Sequence, residues 1–167
     1  MYKKGDTVVY ASHGVCRISD IECHDFSGAD TEYYVLRPVF DSRSTVFVPL
    51  SNEELVSRMR RVHTKDELSD KICRVDECDS IWVQSEPERK RVFGEIISRG
   101  ELDALICLLH TLYAHKASAE AAGKRLHLSD SRFLADAERM LADEVSFSME
   151  ITREEALNYI SSAFCNK

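Results

Sequence analysis

Three consecutive cations, Arg89, Lys90 and Arg91, are the densest concentration of side chains here that could neutralise an anion, and Trp82, the only tryptophan, lies just ahead of them. They open a predicted helix, where the macrodipole disfavours positive charge, so something other than helix stability accounts for them. A phosphate backbone would. Lys116, Lys124, Arg125 and His127 flank a predicted turn further on, and extend the patch if that turn folds back beside the first cluster. The plainer alternatives remain open: both clusters as solvated surface, and Trp82 as a packing residue.

Other reactive side chains point to less. Cys16, Cys23, Cys73, Cys78, Cys107 and Cys165 show no C-x-x-C spacing and no signal peptide precedes them, so they read as reduced, mostly buried thiols. Cys73 and Cys78 are not at the i, i+4 spacing of helical neighbours, so no ready-made pair is evident for a thiol or metal sensor, the least favoured reading. His13, Cys16, Cys23 and His24 are legitimate zinc ligand types without the tight pairs of a structural site, and no metal or other cofactor is predicted. No G-x-x-x-x-G-K loop, H-E-x-x-H helix or G-x-S-x-G elbow occurs. The chain therefore reads as a binding module, not an enzyme.

The elements that must position these residues fall into two halves. Thr7 to Tyr10, Val15 to Glu22, Tyr33 to Val39 and Thr45 to Val48 are short β-rich runs separated by turn residues, with Phe26 to Asp30 as the turn of the longest hairpin. Ser51 to Glu54 opens a helical turn, and Met59 to Val62 supplies a last strand. After Pro49 the apolar period changes from two to about 3.6. Thr64-Lys65-Asp66-Glu67 matches a capping box and starts a helix that runs to about Val75. Asp76 to Ser85 has no helical stripe and is read as the connector. Beyond it the pattern predicts four helices: one capped by Ser85-Glu86-Pro87-Glu88, one from Glu101, one capped by Ser129, and one opened by the box Thr152-Arg153-Glu154-Glu155. The predicted fold is α+β, with a small β-barrel followed by an all-α bundle, divided as 1–62, a helix and connector at 63–85, and a helical domain at 86–167.

The 167 residues, 44% hydrophobic and 31% charged, suffice for one core or two small ones. No stretch approaches the roughly 20 apolar residues of a membrane span, so a cytoplasmic protein is expected. A net charge of -7 excludes binding to nucleic acid through bulk electrostatics, and any contact must come from a local patch. Nothing resembles a sustained coiled-coil seam, and the protein is read as a monomer.

Several segments, in order, resemble the CarD/CdnL family of bacterial transcription regulators. They are K-x-GDTVVYxxHGV from Lys3 to Val15, EYYVL from Glu32 to Leu36, TVFVP from Thr45 to Pro49, ERKRVFGEIISRGELDALICLLHTLY from Glu88 to Tyr113, and LSDSRFLADAERMLADEVSF from Leu128 to Phe147. The first three are similar to the polymerase-interacting module that also occurs in the transcription-repair coupling factor. The resemblance implies a Tudor-like barrel that docks on the RNA polymerase β subunit, and a helical module on promoter DNA at the upstream edge of the bubble, tuning open-complex stability. It places His24, Phe26, Thr45 and Phe47 at polymerase-contact positions, although some members carry arginine where this chain has His24 and Phe47. Phe26 and Phe47 as ordinary barrel residues stay an alternative. It also implies that Trp82 is an apolar wedge in the minor groove, with Arg89, Lys90, Arg91, Lys116, Lys124 and Arg125 on the backbone. The gap from Trp82 to Gly100 is longer here than in the actinobacterial members. Polymerase binding without DNA contact is the first alternative.

Overall fold

The computed structural model describes residues 1–26, 30–41 and 43–165, with only the backbone of Cys165. It divides into two compact units, Met1–Val62 and His63–Lys167.

In the first unit, valine, isoleucine and tyrosine alternate on the pleat and build five strands: β1 (Thr7–Tyr10), β2 (Val15–His24), β3 (Thr31–Pro38), β4 (Val46–Pro49) and β5 (Met59–Arg61). All neighbours pair antiparallel, in the order β4-β3-β2-β1-β5. A 3-10 turn at Ala11–His13 joins β1 to β2, and Gly14 ends it at φ 70°, a conformation glycine adopts without a Cβ penalty. The middle of the predicted Phe26 to Asp30 turn, and Ser42, lie outside the described residues.

The core of this unit is the sheet face carrying Val8, Tyr10, Cys16, Ile18, Tyr34, Leu36, Val48 and Met59. The short helix α1 (Glu53–Ser57) lays Leu55 and Val56 on it. The expected barrel is not what forms: among the described residues β4 and β5 stand at opposite ends of an open sheet. The physical reason is economy of chain. β5 has three residues, all paired to β1, and α1, between the two edge strands in sequence, packs on both of them.

The second unit is helical: α2 (Lys65–Cys73), α3 (Glu86–Arg99), α4 (Leu102–Ala121), α5 (Leu128–Met149) and α6 (Arg153–Cys165). Both outer capping boxes form. The Thr64 hydroxyl accepts from the Glu67 N–H and the Glu67 carboxylate accepts from the Thr64 N–H at 2.9 Å, and Thr152 and Glu155 repeat the arrangement. Two other caps differ from expectation. Ser85 occupies the N-cap of α3 but its hydroxyl caps nothing, and α5 starts a residue before Ser129, whose hydroxyl pairs with His127 Nδ1 at 2.9 Å instead. Gly100, left-handed at φ 67°, closes α3.

The helices enclose Phe93, Leu105, Leu108, Leu109, Leu112, Leu141, Val145 and Ile160, all fully buried. The segment 76–85, expected to join two modules, lies within this unit. Val75, Cys78, Ile81 and Trp82 pack against its core, and the Ile81 N–H donates to Thr111 Oγ1 at 3.0 Å. The buried Glu144 carboxylate accepts from the backbone N–H of His63 at 3.0 Å and meets its Nδ1 at 2.9 Å, tying the start of the unit to α5.

Candidate functional site

Two groups of side chains stand out, one on each unit. The first sits on the sheet face opposite the core. An irregularity in β2 between Ile18 and Asp20 puts Ser19 out of register, so that Asp20, Glu22 and His24 pair with Val35, Tyr33 and Thr31. Ser19 Oγ donates to the Val35 carbonyl at 3.0 Å, which satisfies the interrupted ladder. The extra residue switches the parity of the strand. Odd positions point away from the core before it, even positions after it, and His24 thereby joins Tyr33 and Phe47.

The result is an aromatic patch in which every ring meets every other. His24 stacks on Phe26 with centroids 4.9 Å apart and meets Phe47 edge-on at 5.2 Å. Phe26 meets Phe47 and Tyr33, each at 5.3 Å. Phe26 is 61% exposed and Phe47 37%, so these phenylalanines are outward-facing and not core residues. His24 Nε2 lies 2.8 Å from Glu22 Oε2, which fixes the imidazole in the patch. Three of the four expected polymerase-contact residues, His24, Phe26 and Phe47, are thus brought together, and Thr45 stands exposed just before β4. Sequence reasoning does not single out Tyr33. Its signal is the alternation along β3, where Tyr33 and Val35 oppose the core residues Tyr34 and Leu36. β4, which carries Phe47, is an edge strand, and an edge can accept another chain's strand.

The second group is built on Trp82. Its indole stacks on His115 at 3.5 Å between centroids and 13° between planes, meets Phe93 edge-on at 6.3 Å, and carries the Arg89 guanidinium 4.3 Å from its centre. Arg89 in turn is held from all sides. Its Nε and one terminal nitrogen donate to the two oxygens of Asp130 at 3.0 and 3.1 Å, and the other terminal nitrogen donates to the carbonyls of Val83 and Gln84 at 2.8 and 3.3 Å. Burial, with the Arg89 cation adding to it, lowers the affinity of His115 for a proton.

This geometry corrects the expected role of Arg89. The residue is 6% exposed and its donors are engaged, so its charge is spent on Asp130 inside the unit and not on a phosphate. Lys90 and Arg91 are exposed, paired along the helix with Glu86 at 2.6 Å and Glu95 at 2.8 Å. Such surface pairs are weak enough to yield to another anion. The turn between α4 and α5 does fold back beside α3. His127 lies 3.8 Å from Glu86, and Lys90, His127, Leu128 and Arg132 line one groove. Lys116, Arg125 and the same Leu128 line the groove beside it, with Lys124 exposed in the turn. Arg132, Asp130, His115 and the exposed Leu128 are the participants that sequence reasoning leaves out. Asp130 and His115 could be found from helical phase, since Asp130 is one turn before Leu134 in the buried stripe of α5, and His115 one turn after Thr111 in that of α4.

Among the described residues, no three His, Cys, Asp or Glu side chains group so as to hold a metal ion, and no helix is long and apolar enough to cross a membrane.

The N-terminal unit is by these features a strand-rich interaction domain, with an aromatic patch at an edge strand. Residues 2–62 match the family model described as the CarD-like/TRCF RID domain. Residues 2–62 are thus a domain of the CarD-like/TRCF RID type, and the match supports an RNA polymerase-interacting role for this unit. The match ends where the first unit ends, and the helical unit lies outside it.

Proposed function

We propose that this protein is a bacterial transcription regulator, not an enzyme. In this reading its first unit, an open version of the family's Tudor-like module, docks on the β subunit of RNA polymerase in the cytoplasm. The observation that carries it is the patch of His24, Phe26, Tyr33 and Phe47 on a domain of the polymerase-interacting type. Rigid aromatic side chains at the centre of an interface contribute most of its energy, and the β4 edge offers backbone pairing beside them.

The helical unit contacts promoter DNA at the upstream edge of the bubble and tunes the lifetime of the open complex. Lys90, Lys116, Arg125 and Arg132, which line the two grooves of Leu128, support this, together with the exposed Arg91 and Lys124. Contacts of this kind position a protein on DNA without reading sequence. A second reading keeps the polymerase contact and drops the DNA. It is favoured by the burial of Arg89, the packing of Trp82 and the net charge of -7.

The test is the half-life of an open complex formed with the cognate polymerase, with and without the full chain, alongside its binding to the isolated β lobe. A changed half-life that Lys90→Glu with Arg125→Glu abolishes supports the regulator. Intact β-lobe binding with an unchanged half-life leaves the polymerase-only reading, and absence of β-lobe binding overturns both.

A further inference from the structure

Cys78 and Cys107 are far apart in sequence yet line one cleft of about 470 Å³, together with Lys71, Arg74, Asp79 and Asp103. Cys78 sits on the segment that carries Trp82, just past the 3-10 turn Val75–Glu77, and Cys107 lies on α4. The two thiols face each other closely enough for one to be the other's hydrogen-bond partner. Both residues are half-buried. Of the other described thiols, Cys16 is buried in the sheet core, and Cys23 and Cys73 are exposed on other elements.

We propose that Cys78 and Cys107 form a reversible thiol–disulfide modification site, with a small hydroperoxide as oxidant and a thiol as reductant. The Cys107 sulfur attacks one oxygen of hydrogen peroxide, the O–O bond breaks, and the displaced oxygen takes up the Cys107 proton and leaves as water, which gives a sulfenic acid. The Cys78 sulfur then attacks the Cys107 sulfur, the S–O bond breaks, and the Cys78 proton departs with that oxygen as a second water. Two electrons pass from the thiols to the peroxide. Burial and the neighbouring Cys107 push the Cys78 thiol up to about 12, which disfavours Cys78 as the thiol that meets the peroxide first.

The bond would staple a segment that lacks regular backbone hydrogen bonding to the middle of α4. That segment is otherwise held through Ile81 to Thr111, through the Trp82 stack, and through the Val83 and Gln84 carbonyls that accept from Arg89. Oxidation would therefore restrain Trp82 without touching the sheet unit, a property independent of what the helical unit binds.

The experiment treats the full chain with hydrogen peroxide, blocks residual thiols, and maps peptides by mass spectrometry without reduction. The expected result is a linked Cys78–Cys107 peptide pair, reversed by dithiothreitol and absent in both Cys107→Ser and Cys78→Ser, with amide exchange at Ile81 slowed several-fold in the oxidised protein. Cys78 and Cys107 remaining alkylatable while Cys23 and Cys73 oxidise would overturn the proposal, as would a disulfide joining Cys78 to any other cysteine. A linked pair with unchanged exchange at Ile81 would overturn the stapling.

Discussion

Replacing Asp130 with alanine removes the carboxylate paired with a guanidinium that has almost no access to water. The Arg89 side chain is 8% exposed and that of Asp130 1%, and the two share a bidentate contact at 3.0 and 3.1 Å. After the substitution Arg89 keeps two carbonyls and the face of Trp82, but among the described residues no carboxylate bonded to it, only the more distant charge of Glu86. Breaking a buried pair from one side costs about 3–5 kcal/mol, because an uncompensated charge stays behind. The converse change, Arg89→Met, strands the carboxylate and is expected to cost a similar amount. The double variant Arg89→Met with Asp130→Leu strands neither, and should lose less than either single change, with a coupling energy of roughly 2 kcal/mol or more. Urea unfolding followed by fluorescence suits the measurement, since Trp82 is the only tryptophan and lies against the pair. A loss below about 1 kcal/mol for Asp130→Ala is the behaviour of a surface pair. That result would refute the reasoning and return Arg89 to the cations free to meet a phosphate.

Phe26→Ala should shift stability by no more than about 0.5 kcal/mol because the ring is largely in water, yet weaken β-lobe affinity roughly 30-fold, as loss of a hot-spot aromatic does. Leu36→Ala, in the sheet core, should reverse the pattern and cost about 2–5 kcal/mol of stability in a thermal melt. The depressed proton affinity of His115 means that the unfolded chain binds more protons than the folded one. The helical unit should therefore lose stability as pH falls below about 6.5, the unperturbed histidine value, and His115→Gln should remove that part of the slope in melts read by Trp82 fluorescence. Thr152→Ala opens the capping box of α6 and is expected to cost about 1 kcal/mol in chemical denaturation, with less effect if Glu155 alone carries the cap.

Local chemistry was readable where a residue's partner lies within a turn or two of it. The boxes at Thr64 and Thr152 and the alternation along β1 and β3 each specify their own element. What stayed hidden depends on partners far along the chain. Whether the sheet closes is decided by where β4 and β5 come to rest, which neither strand records. Arg89, Lys90 and Arg91 look alike as a run, but successive helix positions are turned by about 100°, so only Arg89 faces inward to Asp130, which is 41 residues away. The patch of His24, Phe26 and Phe47 was reachable only through resemblance, because the out-of-register Ser19 breaks the period-two count that would otherwise put His24 on the same side as Ile18.

That break makes the hairpin unequally sensitive to different kinds of genetic change. A point substitution at Asp20 or Ile21 alters one side chain and leaves its neighbours on their faces. Inserting a single residue between Asp20 and Cys23 would rotate everything beyond it by half a turn, moving His24 to the core side of the sheet and Cys23 to the patch side, whatever residue is added. Removing Ser19 keeps each side chain on its face but straightens the strand, and so re-aims the tip that bears Phe26. The length of this stretch, more than the identity of Asp20 or Ile21, therefore decides which side chains reach the patch.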